Sequence, residues 1–236
     1  MLKEFLFKDR ESLFKTLASN CEKHLQQALN DNATACLMVS GGSTPAPVYV
    51  RLSHTDLAWN NIHIALVDER WVDKDHAASN EALIMRSLLI NNAENARFTP
   101  MKTSADSAQA GCEETEQRYQ QLPKPFTVTL VGMGNDGHTA SLFPHAQGLS
   151  TALLEDAARL TAAITAKQSA VTGPNTERIS LTLTGLLQSQ RLIVLLTGEE
   201  KRAVFRTAMS EGPVEDMPIR AILRQQKVPV ELFWAP

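Results

Sequence analysis

Cysteine is scarce in this sequence and badly placed for pairing. The three present, Cys21, Cys36 and Cys112, are far apart and form no CxxC. That excludes a disulfide scaffold and a thiolate zinc site, and it fits free thiols in a reducing compartment. Long apolar runs are missing too: none reaches the ~18 residues of a membrane span, so no membrane partner is expected. The opening stretch MLKEFLFKDRESLF interleaves acids and bases with its apolar residues, unlike the unbroken apolar region of a signal peptide. The expected location is cytoplasmic. Basic excess is also lacking. A net charge of -3 argues against a nucleic-acid partner, which needs a basic face, but local charge can still oppose net charge and take small anions. There is no internal repeat, low-complexity segment or long linker.

What is present is a regular alternation. Leu13, Phe14, Leu17, Cys21, Leu25 and Ala28 recur at three- and four-residue spacing, predicting a helix over 9–30 with Asp9 as its cap. Short apolar runs at 34–39, 62–67, 127–131, 178–183 and 191–196, with the closing VPVELFW, read as strands. Helices are expected from Pro45, from Ser79 to about 89, from Asp106 to about 122, from Glu199 to Met209 and near residue 220. Apolar strands alternating with helices predict an α/β fold: three layers, Rossmann-like, with a mostly parallel sheet covered by helices on both faces. One such domain over 1–236 is expected rather than two.

The stretch Thr127–Pro144, TVTLVGMGNDGHTASLFP, organises the rest. It runs as a strand, breaks at Gly132, Gly134 and Gly137, presents Asp136 and His138, and then reads as a short helix. The end of a strand in an open α/β sheet is where such folds bind ligands. His138 can accept a proton from water near neutral pH, and Asp136 can orient it; a lone structural histidine is the plainer alternative. His145, after Pro144, is read as peripheral, and His24, His54, His63 and His76 as structural or surface residues. GMGNDG matches the dinucleotide fingerprint GxGxxG, but a dinucleotide site needs a first βαβ unit and an acid about 20 residues on at a strand end. Here the motif is mid-chain, and Glu155 and Asp156 follow no convincing strand.

Three further motifs carry polar groups. SGGSTP (40–45) follows a strand; Gly41 and Gly42 can converge their N–H groups, Ser43 and Thr44 add hydroxyls, and Thr44 can cap a helix whose first residue is Pro45. That is an anion site or an ordinary turn. DERW (68–71) sets Asp68, Glu69 and Arg70 at a strand end. Arg70 can hold a developing oxyanion, with either carboxylate orienting it, or the group is a surface ion cluster. Lys201 falls in the first turn of its helix, where the dipole disfavours a cation. Either a bound anion or a neighbouring glutamate reconciles it. Arg178, at the start of its strand, is a second cation for the same anion or a sheet-edge charge.

Taken in order, SGGSTP, DERW with Ser79 and Asn80 after it, GMGNDGHTASLFP, ERISLTL and GEEKRAV resemble the 6-phosphogluconolactonases, in the superfamily that also holds the glucosamine-6-phosphate deaminases. The resemblance runs from about residue 5 to 225. It implies a Rossmann-like fold and hydrolysis of 6-phospho-D-glucono-1,5-lactone without cofactor, metal or covalent intermediate. It implies His138 as base, Asp136 as its orienter and Arg70 at the oxyanion. Gly41, Gly42, Ser43, Thr44, Arg178 and Lys201 would be at the phosphate, with Asp68 at the substrate. The deaminases carry a glutamate five positions after the histidine, where this chain has Phe143, and an aromatic residue where it has Arg70. Both departures favour the lactonase over the deaminase. The closing VELFWAP lacks the acidic residue many relatives have there. A sugar-phosphate-sensing regulator would need a DNA-binding module, and only about 33 residues precede the first strand. A monomer or small homo-oligomer is expected.

Overall fold

The computed structural model describes residues 2–155 and 158–236; Asp156, weighed above as a dinucleotide partner, lies outside them. In chain order the elements are β1 (Leu2–Leu6), α1 (Arg10–Asn32), β2 (Ala35–Val39), α2 (Ala46–Ser53), β3 (Ile62–Leu66), β4 (Asp68–Arg70), α3 (Asn80–Ser87), β5 (Arg97–Thr99), α4 (Ala108–Gln120) and β6 (Val128–Val131). Then come α5 (Leu149–Ala152), β7 (Thr161–Thr165), β8 (Glu177–Leu181), α6 (Leu183–Leu186), β9 (Leu192–Thr197), α7 (Glu199–Met209), α8 (Ile219–Arg224) and β10 (Val230–Ala235).

Seven strands form one parallel sheet in the order β1-β10-β9-β6-β2-β3-β5, with helices packed around it. Its central strands are unbroken aliphatic runs because both faces are covered: every residue of β2 and β6 is buried. Helix α1 starts where expected. The Ser12 amide donates to Asp9 Oδ1 at 2.7 Å, and Leu13, Leu17, Cys21, Leu25 and Ala28 enter the core. From β2 the chain winds outward through β3 and β5; from β6 it winds the other way through β9 and β10. The turns after β2 and β6 therefore diverge at a topological switch point, where an open α/β sheet leaves a crevice at its carboxyl edge.

Several expectations are corrected. The DERW strand end and the 178–183 strand leave the main sheet. Asp68–Arg70 pairs antiparallel with Glu177–Leu181, which pairs with β7, to give a separate three-stranded sheet, β4-β8-β7. Val67 links the two sheets, donating to Val39 O at 2.9 Å and accepting from Leu181 N at 2.8 Å. Strand β7 lies in the Ala- and Thr-rich stretch 157–172, where the sequence pattern assigns no strand, and β1 and β5 were not foreseen either. β1 is LKEFL, whose charges sit at the sheet edge, and β5 is three residues long. Ser107, not Asp106, caps α4, accepting from Ala110 N at 3.1 Å. Thr44 caps nothing. Pro45, already in helical geometry, precedes α2 with no side-chain cap, and Val48 N and Tyr49 N donate to its carbonyl.

Candidate active site

After β6 the chain makes no helix at 139–145, contrary to expectation. It forms a tight turn instead: Leu142 N donates to Thr139 O at 2.9 Å, and Ala140 adopts a left-handed φ of 48°. The preceding glycine turn is closed by Gly134 N donating to His138 O at 2.8 Å and Thr139 Oγ1 donating to Gly132 O at 2.9 Å. Within it, His138 Nδ1 lies 2.6 Å from Asp136 Oδ1, and the same oxygen accepts from the His138 amide at 3.1 Å. Burial raises the Asp136 pKa, but the His138 hydrogen bond and charge outweigh it and hold the carboxyl below its usual 3.8. Only glycine fits at 134. A Cβ there would stand 2.0 Å from His138 Nδ1 and 2.4 Å from Asp136 Oδ1. With Nδ1 held by the carboxylate, Nε2 is the nitrogen left to exchange a proton with a ligand.

The small sheet supplies the cations. Arg70 and Arg178 are directly opposite each other across the β4–β8 pair, a like-charge placement that destabilises a strand pair unless an anion lies between. Arg178 is 4% exposed; its Nε and Nη2 donate to Asn175 O and Thr172 O at 2.7 and 2.8 Å. Arg70 Nη1 donates to Ala78 O at 2.5 Å, while its buried Nε has no partner among the described residues. Asp68 is buried, accepting from Ser141 Oγ at 2.5 Å and contacting Asn80 Nδ2 at 3.5 Å. Beside it Glu69, 1% exposed, gathers the amides of Arg70, Asn80 and Glu81 and the Ser79 hydroxyl at 2.7–3.1 Å. Burial pushes its carboxyl up to about 7, against those amides.

These groups converge on one cleft of about 720 Å³, lined among others by Gly41, Gly42, Asp68, Arg70, Asn80, His138, Phe143, Arg178 and Lys201. A smaller recess of about 160 Å³ adjoins it, lined by Gly41, Gly42, Thr44 and Lys201 among others. Lys201 Nζ donates to Met133 O at 2.6 Å. No ion pair joins it to a glutamate among the described residues; Glu200 instead accepts from Asn135 Nδ2 at 2.6 Å. Burial lowers the lysine's pKa, with Asp136 and Glu200 opposing.

Of the residues singled out from sequence, His138, Arg70, Asp68, Arg178, Lys201, Gly41, Gly42 and Thr44 all face the cleft or its recess. Asp136 reaches the cleft only through His138. Ser43 is exposed and lines neither space. His145 pairs with Asp216 at 3.0 Å, away from the cleft lining. The three cysteines are buried free thiols. No helix is long and apolar enough to cross a membrane among the described residues, and no group of three or more His, Cys, Asp or Glu there is arranged to hold a metal ion.

Residues 8–234 match the family described as glucosamine-6-phosphate isomerases/6-phosphogluconolactonase. The chain belongs to this family. It is 36% identical to a 6-phosphogluconolactonase of Mesorhizobium japonicum over 98% of this chain and 94% of that protein. It is 37% identical to one of Neisseria meningitidis serogroup B over 94% of each. Its fold superposes on the crystal structure of a 6-phosphogluconolactonase from Shewanella baltica OS155 with a TM-score of 0.93, 39% identity, and coverage of 100% and 98% of the two chains.

Asn80, which lines the cleft of this family member, and Ser141, fully buried behind it, carried little signal of their own in the sequence. Asn80, noted only as part of a motif, donates to Asp68 O at 2.8 Å. Its Oδ1 occupies the space a Cβ on Gly41 would need, 1.8 Å away, so the glycine loop after β2 and the DER strand are fitted to each other. Ser141, which fixes Asp68, is distant from it in sequence, and only its place after the histidine hinted at the site.

Proposed function

We propose that this protein is a 6-phosphogluconolactonase, hydrolysing 6-phospho-D-glucono-1,5-lactone to 6-phospho-D-gluconate in the cytoplasm as one α/β domain. The observation that carries the reading is a carboxylate-held imidazole opening on a cleft that also takes four cations, Arg70, Arg178 and Lys201 with Arg10. Family membership narrows the chemistry that such a cleft serves.

In this reading His138 Nε2 accepts a proton from water as the oxygen attacks C1 of the lactone. The carbonyl becomes an oxyanion, which Arg70, a cation in the cleft lining, stabilises. Collapse breaks the C1–ring oxygen bond, and the imidazolium returns the proton to the departing oxygen, so lactone plus water becomes the acid. Asp136 keeps the imidazole in the tautomer and orientation this needs. The phosphate occupies the end bounded by Gly41, Gly42, Thr44 and Lys201, with Arg178 adding charge from the sheet wall. Ser43 is left out of that set because it lines neither space. Asp68, held by Ser141, accepts from a sugar hydroxyl. Anchoring the phosphate end converts attack at the ester into a positioned, effectively unimolecular step. A δ-lactone is labile in water, so no metal or covalent intermediate is required.

The test is a coupled assay. The lactone is generated in situ, and acid release is followed with and without protein, the uncatalysed rate being subtracted. Acceleration proportional to protein concentration is expected. Hydrolysis at the uncatalysed rate, or ammonia release from glucosamine 6-phosphate, would overturn the proposal.

A further inference from the structure

The Asp136 bond holds His138 by one edge and leaves its ring plane free to turn about that bond. Phe143 removes this freedom. Its ring lies against the imidazole with centroids 4.2 Å apart and an interplanar angle of 35°. The Arg178 guanidinium lies over the same phenyl ring, 5.4 Å from its centroid. Phe143 is 4% exposed yet lines the cleft, so it faces the ligand space as well as the core. The left-handed turn at Ala140 brings it there: Leu142 is buried as an anchor, and the chain doubles back to set a residue five positions on beneath the histidine.

We infer that Phe143 is a positioning residue for this cleft, its ring fixing the plane of the His138 imidazole and the placement of the Arg178 guanidinium together. Two restraints at different angles, a carboxylate on the ring edge and a phenyl on the ring face, define an imidazole orientation that neither defines alone. Packing an aryl face against an imidazole favours offset contacts of this kind, and a guanidinium over the ring gains a modest cation–π attraction. The inference rests on the lactonase reading for its catalytic consequence, not for its geometry.

The experiment compares wild type with Phe143→Leu, Phe143→Tyr, Asp136→Asn and the Phe143→Leu/Asp136→Asn double variant. Urea unfolding monitors the fold throughout. Phe143→Leu is expected to lower kcat about tenfold and raise KM about threefold, the cost of a loosened base and a shifted cation. Phe143→Tyr, which keeps the ring face, should recover most of both. The double variant should lose no more than about threefold beyond the worse single variant, because both restraints act on one ring. A wild-type kcat in Phe143→Leu, no recovery in Phe143→Tyr, or a double loss equal to the product of the singles would each overturn it. Should the leucine variant not fold, Phe143→Met takes its place with the same expectations. The His138 ring-proton NMR signals give a readout independent of turnover: sharp in wild type, broadened in the variant lacking the ring. Unchanged line widths would sink the inference even if the wild type proved inactive as a lactonase.

Discussion

Two glycine-rich turns stand side by side at the carboxyl edge of the sheet, one after β2 and one after β6, and they are built in opposite ways. The β6 turn is closed on itself. Asp136 holds His138, Thr139 holds Gly132, and Gly134 holds the histidine carbonyl. The β2 turn is left open. Among the described residues neither the Ser43 nor the Thr44 hydroxyl makes a hydrogen bond within the protein, and no side chain caps the helix that follows. A group that must react has to be held in one orientation before the substrate arrives, whereas a group that binds an anion needs free donors. The same ingredient, glycine after a buried strand, serves rigidity in one turn and availability in the other.

The sharpest way to break this contrast is to remove what the closed turn holds. His138→Ala is expected to lower kcat about a thousandfold, within the usual range for a general base, while product still binds. Full activity in that variant would remove the base from the closed turn. Distorting the turn without touching its chemistry is the next largest effect. A methyl at Gly134 would overlap the imidazole, so Gly134→Ala should cost about a hundredfold in kcat, as expected for an ångström-scale misplacement, with circular dichroism unchanged. If kcat holds, the turn is more compliant than its hydrogen bonds imply.

The open turn is predicted to respond in KM instead. Lys201→Ala should raise KM about tenfold with little change in kcat, the signature of binding shared by ground and transition states. Thr44→Val should raise it about threefold and Ser43→Ala not at all, since only Thr44 lines the recess. Equal effects at Ser43 and Thr44 would mean that the loop rearranges around the phosphate and that the open turn is not preformed.

The contrast also explains what was legible beforehand. Both turns and the parallel core could be read from sequence because they depend on local patterns, aliphatic runs ending in glycine. What could not be read depends on partners distant along the chain. Nothing local in DERW or ERISLTL says that they pair antiparallel in a second sheet and set Arg70 opposite Arg178. The Ala–Thr stretch became a strand because β8 gave it a partner, not through its own propensity. Lys201 read as an anomaly in a helix's first turn, and the carbonyl it donates to, that of Met133, is far along the chain in the turn after β6. The helix expected after His138 failed for a local reason: Thr139 bonds back to Gly132 and Ala140 turns left-handed, so Phe143 returns to the imidazole.

The smallest expected effect tests whether the closed turn is held by charge. The Asp136 carboxyl sits below its unfolded value of 3.8, since the His138 hydrogen bond and charge outweigh burial. A carboxyl depressed in the folded state stabilises that state fully above its unfolded pKa, and the contribution disappears as pH falls through the folded value. Stability should therefore be level from neutrality down to about pH 4 as far as this pair is concerned, then drop below it by less than about 1 kcal/mol, because the pair is partly solvated. In Asp136→Asn that part of the acid slope should vanish while other carboxylates keep theirs. Urea midpoints for the two proteins, measured every half unit between pH 2.5 and 6 as an order-of-magnitude grid for so small a shift, give the comparison directly. Parallel curves would mean that the pair orients the imidazole without contributing stability. A gap that closes toward low pH would mean that the turn's rigidity is in part electrostatic, and that acid loosens the closed turn while the open one, which has no such pair, is left as it was.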